Sequence, residues 1–536
     1  MSEASTALSL LASRSHADAT MLVHCETPIS FARVLDEARR VAGGLVRLGV
    51  RPGDRVAIWL PTTPAWIATF FACAQVGAIA VAVNTRFVPR ELADIVGRSG
   101  AKVLVFWPGF AKVDFAAILA GCDAAAMPGL ESVVVYGEPD DVPRALPAAW
   151  RTLTYDALAG GAALDEERAT PDTPCAIFTT SGTTKAPKFV LHDQKTLVRH
   201  GQDVVEGFGL HPASTMLLAP PMCGVFGFCS MMAALAAGRP MITAPTWDPA
   251  QAARWIDRYR VTHVNATDDA LMQLLAQNDR TPAFPTLEFC GYAAFNPALS
   301  DVVERAQRRG LALVGLYGIS EIQALFARQP EHAPVPDRAP GGGRPVSALA
   351  RVRARDPESG RLQPHGESGE LEFLAPSSRM VGYFGNPDAT AAATTDDGWY
   401  RSGDLGYTLA DGRFVYLTRM GDSMRLGGFL VSPAEIEGVV QECEGIDGCQ
   451  VVAASAGGVP RPVAFVRLVP GARLDEAGVI AHCAARLARY KVPLRVFPID
   501  AFPVTEGTNA TKIQKHKLRD LAQARLDETP LSGDHR

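Results

Sequence analysis

Apolar positions recur in two alternating rhythms along the first hundred residues. From Ser30 onward, Val34, Leu35, Ala38, Val41, Ala42, Leu45 and Leu48 fall at three- and four-residue spacing as far as Gly49, which predicts a helix capped by Ser30. RPGD at 51–54 is turn chemistry, and VAIWL at 56–60 is a short apolar run closed by Pro61, which predicts a strand covered on both faces. ELADIVGRSG, entered through Pro89, predicts another helix, and KVLVF at 102–106 another strand. Helix and strand in turn imply a mostly parallel sheet. Between them, Ala65 to Val83 runs nineteen residues without a formal charge, long enough for a membrane span. Gln75, the many alanines and the break at Gly77 favour a buried helix followed by a buried strand, so no span is expected.

Glycine and proline gather in 335–370 (PVPDRAPGGGRPV, DPESGRLQPHGESGE), which predicts loops and hairpins of a β-rich subdomain over about 335–420. SPAE at 432–435 predicts a capping box with Pro433 at the first helical position. CQVVAA, PVAFVRLV and the helix-like EAGVIAHCAARLARY add material for a small α+β unit of two strands and two helices. The boundary falls near Arg419 to Asp422. The predicted fold class is therefore α/β: a large N-terminal domain of stacked αβ layers with the β-rich subdomain, residues 1–420, and a small α+β C-terminal domain, residues 421–536. No internal repeat is present.

Composition narrows the function classes. With 47% hydrophobic and 20% charged residues the chain has neither the low hydrophobicity nor the charge excess of disorder. A formal net charge of −5 gives no global basic field for nucleic acid, so an anionic partner must be bound locally. The ten cysteines are scattered, with no CxxC pair and no zinc spacing, and read as small buried apolar residues of a reducing compartment. MSEASTALSL lacks the basic and apolar stretches of a secretory signal, so a cytoplasmic protein is expected.

FTTSGTTKAPK, residues 178–188, follows the apolar CAIF. Its hydroxyls, Gly182 and Lys188 suit a polyphosphate, though composition alone fits a polar surface loop as well. Pro187 stands where a Walker loop needs glycine, and TTSGT around Ser181 is not the GxSxG of a hydrolase elbow. Four more segments follow: LVGLYGISE at 313–321, GWYRSGDLG at 398–406, TRMGDSMRLGGFLVSPAEIE at 418–437 and NATKIQKHKLRD at 509–520.

In this order the five segments resemble those of the acyl-adenylate-forming superfamily: acyl-CoA synthetases, adenylation domains of peptide synthetases, and luciferases. The resemblance runs from about Ser30 to Arg519. It implies an ATP-dependent acid–thiol ligase using ATP, Mg²⁺ and coenzyme A: a small-molecule carboxylic acid is activated as acyl-AMP with loss of pyrophosphate, and the acyl group then passes to the thiol. By the same resemblance Thr180, Ser181, Gly182, Thr183, Thr184 and Lys188 hold the phosphates, and Glu321, within the motif that includes Gly318 and Ser320, helps hold Mg²⁺. Tyr317 lies against adenine with Ala293 and Ala294 of CGYAAF, Asp404 accepts both ribose hydroxyls, and Arg419 supports ribose and phosphate. Taken singly, Tyr317 is equally a core tyrosine, and Asp404 and Arg419 a surface ion pair.

Lys512 is the implied catalytic lysine, although Lys512, Lys515, Lys517 and Arg519 by themselves also describe a solvated basic helix end. The small domain of the family is mobile, turning about the linker, here Gly421 and Asp422, to withdraw the lysine and bring Gly427 and Gly428 along the thiol tunnel. A plain turn accounts for those two glycines as well. The chain departs from the pattern at Lys185 and Phe189, where glycine is usual, at Gly421, where Asp or Lys is usual, at Thr511, where glycine is usual, and at Gly224, where an aromatic or histidine is common.

Gly224, Val225, Phe226, Gly291, Tyr292 and Phe295 are the expected acyl-pocket residues. Met222 to Phe228 contain no acid to pair with an α-amino group, and no Arg or His is evident for a second carboxylate. A neutral, apolar monocarboxylate remains, aromatic, cyclic or medium-chain. Two alternatives stay open: a free-standing enzyme that loads an acyl carrier protein, and a catalytically quiet ligand-binding relative. Either a monomer or a homodimer is compatible with the sequence.

Overall fold

The computed structural model describes residues 4–528 apart from 16–17, 111–112, 139–140, 142–145, 181–186, 296–298, 300, 422–423, 427–428, 457–458, 488 and 507–510; at 425, 429–430, 505–506 and 511–512 it describes the backbone alone. Ser30 caps the helix Phe31–Arg47 by accepting from the Arg33 N–H at 3.2 Å. The uncharged stretch is the fully buried helix Pro64–Val76, ended at Gly77, followed by the strand Ile79–Ala82. Gln75 fits because its amide donates to the carbonyls of Leu164 at 2.6 Å and Glu166 at 3.1 Å. No described helix is long and apolar enough to cross a membrane.

Two sheets organise the large part of the chain. An eight-stranded sheet has the order Gly382–Tyr383, Phe189–Asp193, Pro174–Thr179, Ile79–Ala82, Arg55–Trp59, Ala101–Phe106, Ser132–Val135 and Arg151–Thr154, and its last six strands are parallel. Alternate residues of one strand enter different cores: Val56 and Ile58 face a central cluster, Ala57 and Trp59 an outer one under the helix Pro89–Ser99. The second sheet has thirteen strands. Its parallel half, including Met216–Leu218, His263–Thr267 and Phe289–Ala293, shares the central cluster on one face and packs helices Pro249–Arg258, Asp268–Leu275 and Val302–Arg308 on the other. Helices Pro64–Val76 and Val225–Ala237 are apolar all round because they lie between the two sheets.

At Leu313–Ile319 the larger sheet changes sense, pairing parallel with Phe289–Ala293 and antiparallel with Gln323–Arg328. The strands beyond, Gly342–Pro345, Phe414–Arg419, Tyr400–Thr408, Gly369–Leu374 and Arg351–Arg355, continue it edge to edge. The β-rich region is therefore hydrogen-bonded into the main sheet. The triple glycine, expected in a loop, lies within and beside the strand Gly342–Pro345. Gly342 and Gly343 take φ of +123° and +100°, and a Cβ on either would strike the backbone of Phe414 or Arg328, so close strand approach rather than turning explains them.

The C-terminal unit is a three-stranded sheet, Ile446–Ala456, Val459–Leu468 and Arg495–Pro498. Helices Pro433–Gln441 and Glu476–Ala484 cover one face and Lys515–Glu528 the other; the strand Arg495–Pro498, the helix Lys515–Glu528 and two short ribbons, Met424–Leu426 with Phe429–Val431 and Val504–Glu506 with Thr511–Ile513, are additional to the two strands and two helices the sequence patterns indicated. Pro433 is at the first helical position, but the expected capping box does not form: Ser432 Oγ is buried without a partner among the described residues, and the Glu435 carboxylate is drawn instead to Lys491. The ten cysteines are unpaired; most are buried, while Cys25 is exposed.

Candidate active site

The strand Tyr400–Thr408 and its neighbour Phe414–Arg419 place Asp404 directly opposite Arg419. Gly403, with φ +69°, bends the strand, and Ser402 Oγ takes the Asp404 N–H at 3.0 Å. Asp404 is 1% exposed; one oxygen is 2.9 Å from the Arg419 guanidinium, and the other accepts the Tyr317 hydroxyl at 2.6 Å. Burial raises the Asp404 carboxyl above its ordinary value, opposed chiefly by the Arg419 charge. Tyr317 is 6% exposed, its ring stacked on Phe373 and met edge-on by Phe414. Its hydroxyl fixes Asp404, and its ring belongs to the core of the β-rich region.

Glu321, 7% exposed, opens the short turn after the strand Leu313–Ile319. Its Oε1 accepts the Tyr383 hydroxyl at 2.8 Å, and its other oxygen has no hydrogen-bond or ion-pair partner among the described residues. That free oxygen suits one ligand position of a Mg²⁺ whose remaining ligands come from phosphates and water. No group of three or more metal-binding side chains occurs among the described residues. Gly318 lies so close to Gln323 and Ala324 that a side chain there would collide with them. Ser320 contributes its carbonyl, which accepts from His192 Nε2 at 2.8 Å.

On the facing sheet, Thr180 and Lys188 close the neck of the phosphate loop: the Thr180 N–H donates to the Lys188 carbonyl at 3.0 Å, and the Lys188 N–H donates to Thr180 Oγ1 at 3.2 Å. Ser181, Gly182, Thr183, Thr184 and Lys185 lie outside the described residues. The Lys188 ammonium sits 4.5 Å from the centroid of the Tyr383 ring. Phe189, the departure from glycine, is buried beneath Arg98, whose guanidinium is 4.5 Å from its ring centroid and donates to the Pro187 carbonyl at 3.1 Å. The large side chain therefore packs the loop neck inward.

The two groups of residues meet. Arg419's charge is felt at Tyr383 and Tyr400, and Glu321's at Asp404, so Lys188, Glu321, Asp404 and Arg419 share one electrostatic neighbourhood. Tyr383 and Tyr400, whose hydroxyls are 3.4 Å apart, stand at its centre. Sequence reading missed both; the only signal was two tyrosines near glycines, in VGYFG and GWYRSG.

The expected acyl-pocket residues divide. Gly224 begins the helix that carries Val225 and Phe226, and Phe226 belongs to the central cluster with Val225 and Ala293 packed against it. Gly291 faces this side too, against Leu316 and Phe289. Tyr292 does not: the strand pleat turns it to the opposite face, where its ring joins the outer cluster and its hydroxyl donates to the Ala339 carbonyl. It cannot line the same pocket as Val225 and Phe226. Ala294 and Phe295 follow the strand, Phe295 37% exposed with its N–H on Asp268 at 2.9 Å. Asp422, Gly427, Gly428 and the side chain of Lys512 lie outside the described residues; Gly421 is exposed, with open space where a Cβ would be.

His192 and His200 brace this site from behind. Each donates from Nε2, to the carbonyls of Ser320 at 2.8 Å and Ala324 at 2.7 Å, and each leaves Nδ1 buried without a partner among the described residues. Burial pushes His192 down to about 4 from the ordinary imidazole value of 6.5. The unfolded chain therefore takes up this proton first. The His192 contribution to stability is whole above pH 6.5 and is lost as pH falls through about 4, a change of about 3 kcal/mol at roughly 1.4 kcal/mol per unit. Melting curves should show His192→Gln, which keeps a donor for Ser320, flattening part of the decline between these limits; an unchanged slope would count against it.

Comparison with known proteins agrees with this geometry. The family model described as AMP-binding enzyme matches residues 11–384, and that of the AMP-binding enzyme C-terminal domain matches 435–507. A feruloyl-CoA synthase of Amycolatopsis sp is 32% identical, covering 94% of this chain and 95% of its own. A propanoyl:CoA ligase of Mycobacterium tuberculosis, whose acyl group bears a methyl-dioxo-octahydroindenyl ring system, is also 32% identical, covering 94% of this chain and 96% of its own. The apo structure of MatB from Rhodopseudomonas palustris superposes with a TM-score of 0.77 at 25% identity, over 97% of this chain and 99% of that one. The anthranilate CoA ligase AuaEII with anthranoyl-AMP shares the fold, with a TM-score of 0.80 at 24% identity over 97% and 98% of the two chains. The chain belongs to the AMP-binding enzyme family and is an acyl-CoA synthetase/ligase of the acyl-adenylate-forming superfamily.

Proposed function

We propose that the chain joins a bulky, ring-bearing, largely neutral monocarboxylic acid to coenzyme A, through an acyl-adenylate, with Lys188, Glu321, Asp404, Arg419 and Lys512 as the nucleotide-handling groups. The observation that carries the reading is the convergence of Lys188, Glu321, Asp404 and Arg419, far apart in sequence, on the point where the larger sheet changes sense. In the first half-reaction the acid's carboxylate attacks the α-phosphorus of ATP, and the bond to the bridging oxygen breaks to release pyrophosphate. Two anions must approach, so cations from separate parts of the chain are needed. Lys188, at the neck of the phosphate loop, and Arg419 supply two, and Lys512 a third. Asp404 is the acceptor for the ribose hydroxyls, and Glu321 would hold Mg²⁺, which draws charge from the phosphate oxygens when bound. In the second half-reaction the thiol attacks the acyl carbonyl, its proton passes to water, and AMP leaves with the electron pair of the broken acyl–oxygen bond, so no side-chain nucleophile is required.

Residues 1–420 would form the adenylating domain, and 421–536 a domain turning about Gly421 and Asp422. The Arg519 guanidinium, donating to the Gly421 carbonyl at 3.2 Å, is a contact such rotation would alter. The names of the two relatives support coenzyme A as acceptor and a ring-bearing acyl group. The apolar central face beside Val225 and Phe226, where Gly224 begins the helix without a side chain, supports the same substrate class.

A panel of carboxylic acids in ATP–pyrophosphate exchange tests this. Ring-bearing monocarboxylates should support exchange and, with coenzyme A added, AMP release; amino acids and short dicarboxylates should not. Transfer to a phosphopantetheinylated carrier protein in preference to coenzyme A would replace the acceptor, and absence of exchange with every acid would mean a quiet binding protein.

A further inference from the structure

We infer that Tyr383 is a positioning residue that couples the two halves of the nucleotide site, its ring seating Lys188 on the phosphate side and its hydroxyl orienting Glu321 on the metal side. The inference rests on the proposed roles of Lys188 and Glu321. The Lys188 ammonium lies 4.5 Å from the ring centroid, and the hydroxyl donates to Glu321 Oε1 at 2.8 Å.

The post itself is held by the backbone. Tyr383 belongs to a two-residue strand paired with Phe189–Asp193, Val190 standing opposite it. The N–H of Thr390-facing Tyr383 donates to Thr390 Oγ1 at 2.9 Å, and the next N–H, of Phe384, donates to the Phe189 carbonyl at 2.8 Å. Met380, three residues earlier, donates its N–H to the Glu321 carbonyl at 2.8 Å, so the same segment also ties the two sheets together. Tyr383 is 5% exposed, so its hydroxyl meets the Glu321 carboxylate away from bulk water.

Each contact limits a different freedom. An ammonium over an aromatic face keeps its charge available while losing much of its rotamer freedom before nucleotide arrives. A carboxylate with one oxygen engaged presents the other in a fixed direction, which favours a cation needing near-octahedral geometry. Removing the hydroxyl should therefore affect the metal, and removing the ring should affect the phosphates as well.

Calorimetric titration of the full chain with ATP at several Mg²⁺ concentrations, without acid, separates these effects. Tyr383→Phe should bind ATP within about twofold of wild type at saturating Mg²⁺, while the Mg²⁺ concentration giving half of that affinity rises about three- to tenfold. Tyr383→Leu should also lose about five- to tenfold in ATP affinity at saturating Mg²⁺, and this extra loss should vanish in a Lys188→Ala background. A Tyr383→Phe curve superimposable on wild type overturns the hydroxyl's role, and melting of that variant shows whether it is folded. An extra loss that persists without Lys188 overturns the ring's role; should the Leu variant fail to fold, Tyr383→Met supplies the same comparison. Wild-type protein that binds Mg²⁺ and ATP yet supports no exchange with any acid would sink the proposed reaction and leave the coupling standing.

Discussion

Lys512→Ala is expected to lower acid-dependent ATP–pyrophosphate exchange by about a thousandfold while leaving thioester formation from supplied acyl-adenylate and coenzyme A within about threefold of wild type. The asymmetry follows from where charge moves. Adenylation shifts negative charge from an attacking carboxylate to departing pyrophosphate, and thiolysis does neither. Among the basic residues near the C-terminus, structure removes the nearest competitor: the Lys515 ammonium is 2.8 Å from Glu437, whose same oxygen also accepts the Val451 N–H at 2.8 Å. Lys515 therefore pins a helix to its sheet, and Arg519 is engaged at the Gly421 carbonyl. The backbone of Lys512 lies in the strand Thr511–Ile513, opposite Thr505. Rate measurements on the two half-reactions separately decide the matter. Equal loss in both would mean that another lysine acts, or that the C-terminal unit does not turn between them.

Asp404→Ala should weaken ATP and AMP binding by about a hundredfold, the loss of two charge-assisted hydrogen bonds at about 1.5–3 kcal/mol each, partly offset by water. The same change leaves the buried Tyr317 hydroxyl without its acceptor, a further cost of about 1–3 kcal/mol in stability. Arg419 adds little to that cost, because its side chain is 52% exposed and water solvates the freed guanidinium. Asp404→Asn separates the two effects: the amide oxygen can still accept from Tyr317, so melting should recover while nucleotide affinity stays low. Calorimetric titration with AMP, which needs neither Mg²⁺ nor acid, is the cleanest measurement. A loss below about fivefold for Asp404→Ala would remove Asp404 from the ribose site.

Both experiments concern residues that could be picked out before any fold was known, and the reason is that they sit in short segments whose chemistry is local. Asp404 and Arg419 fall in motifs, as does Lys512, and the register that makes the first two partners needed only two neighbouring strands. Tyr383 is different. Nothing in VGYFG indicates that its ring will meet Lys188 or that its hydroxyl will meet Glu321, 62 residues earlier in the chain. His192 and His200 were equally silent, since a histidine spacing carries no sign of carbonyls 128 and 124 residues away. Tyr292 was misplaced for a related reason: aromatic character marks it for a pocket or a core, and only the pleat of its strand says which side it faces.

By itself the sequence determined the elements and their class. Ser30 as a cap, Gly77 as a stop, the uncharged helix and strand after it, and the alternation that makes a parallel sheet are all set by backbone and solvent preferences acting over a few residues. It also determined the family, through motifs whose order survives without coordinates. Only tertiary structure decided that the β-rich region extends the main sheet, that the triple glycine marks strand approach, and that Glu435 goes to Lys491 instead of capping its helix. Those outcomes depend on edge pairing and side-chain competition between residues distant in sequence, interactions that exist only once the chain has closed on itself.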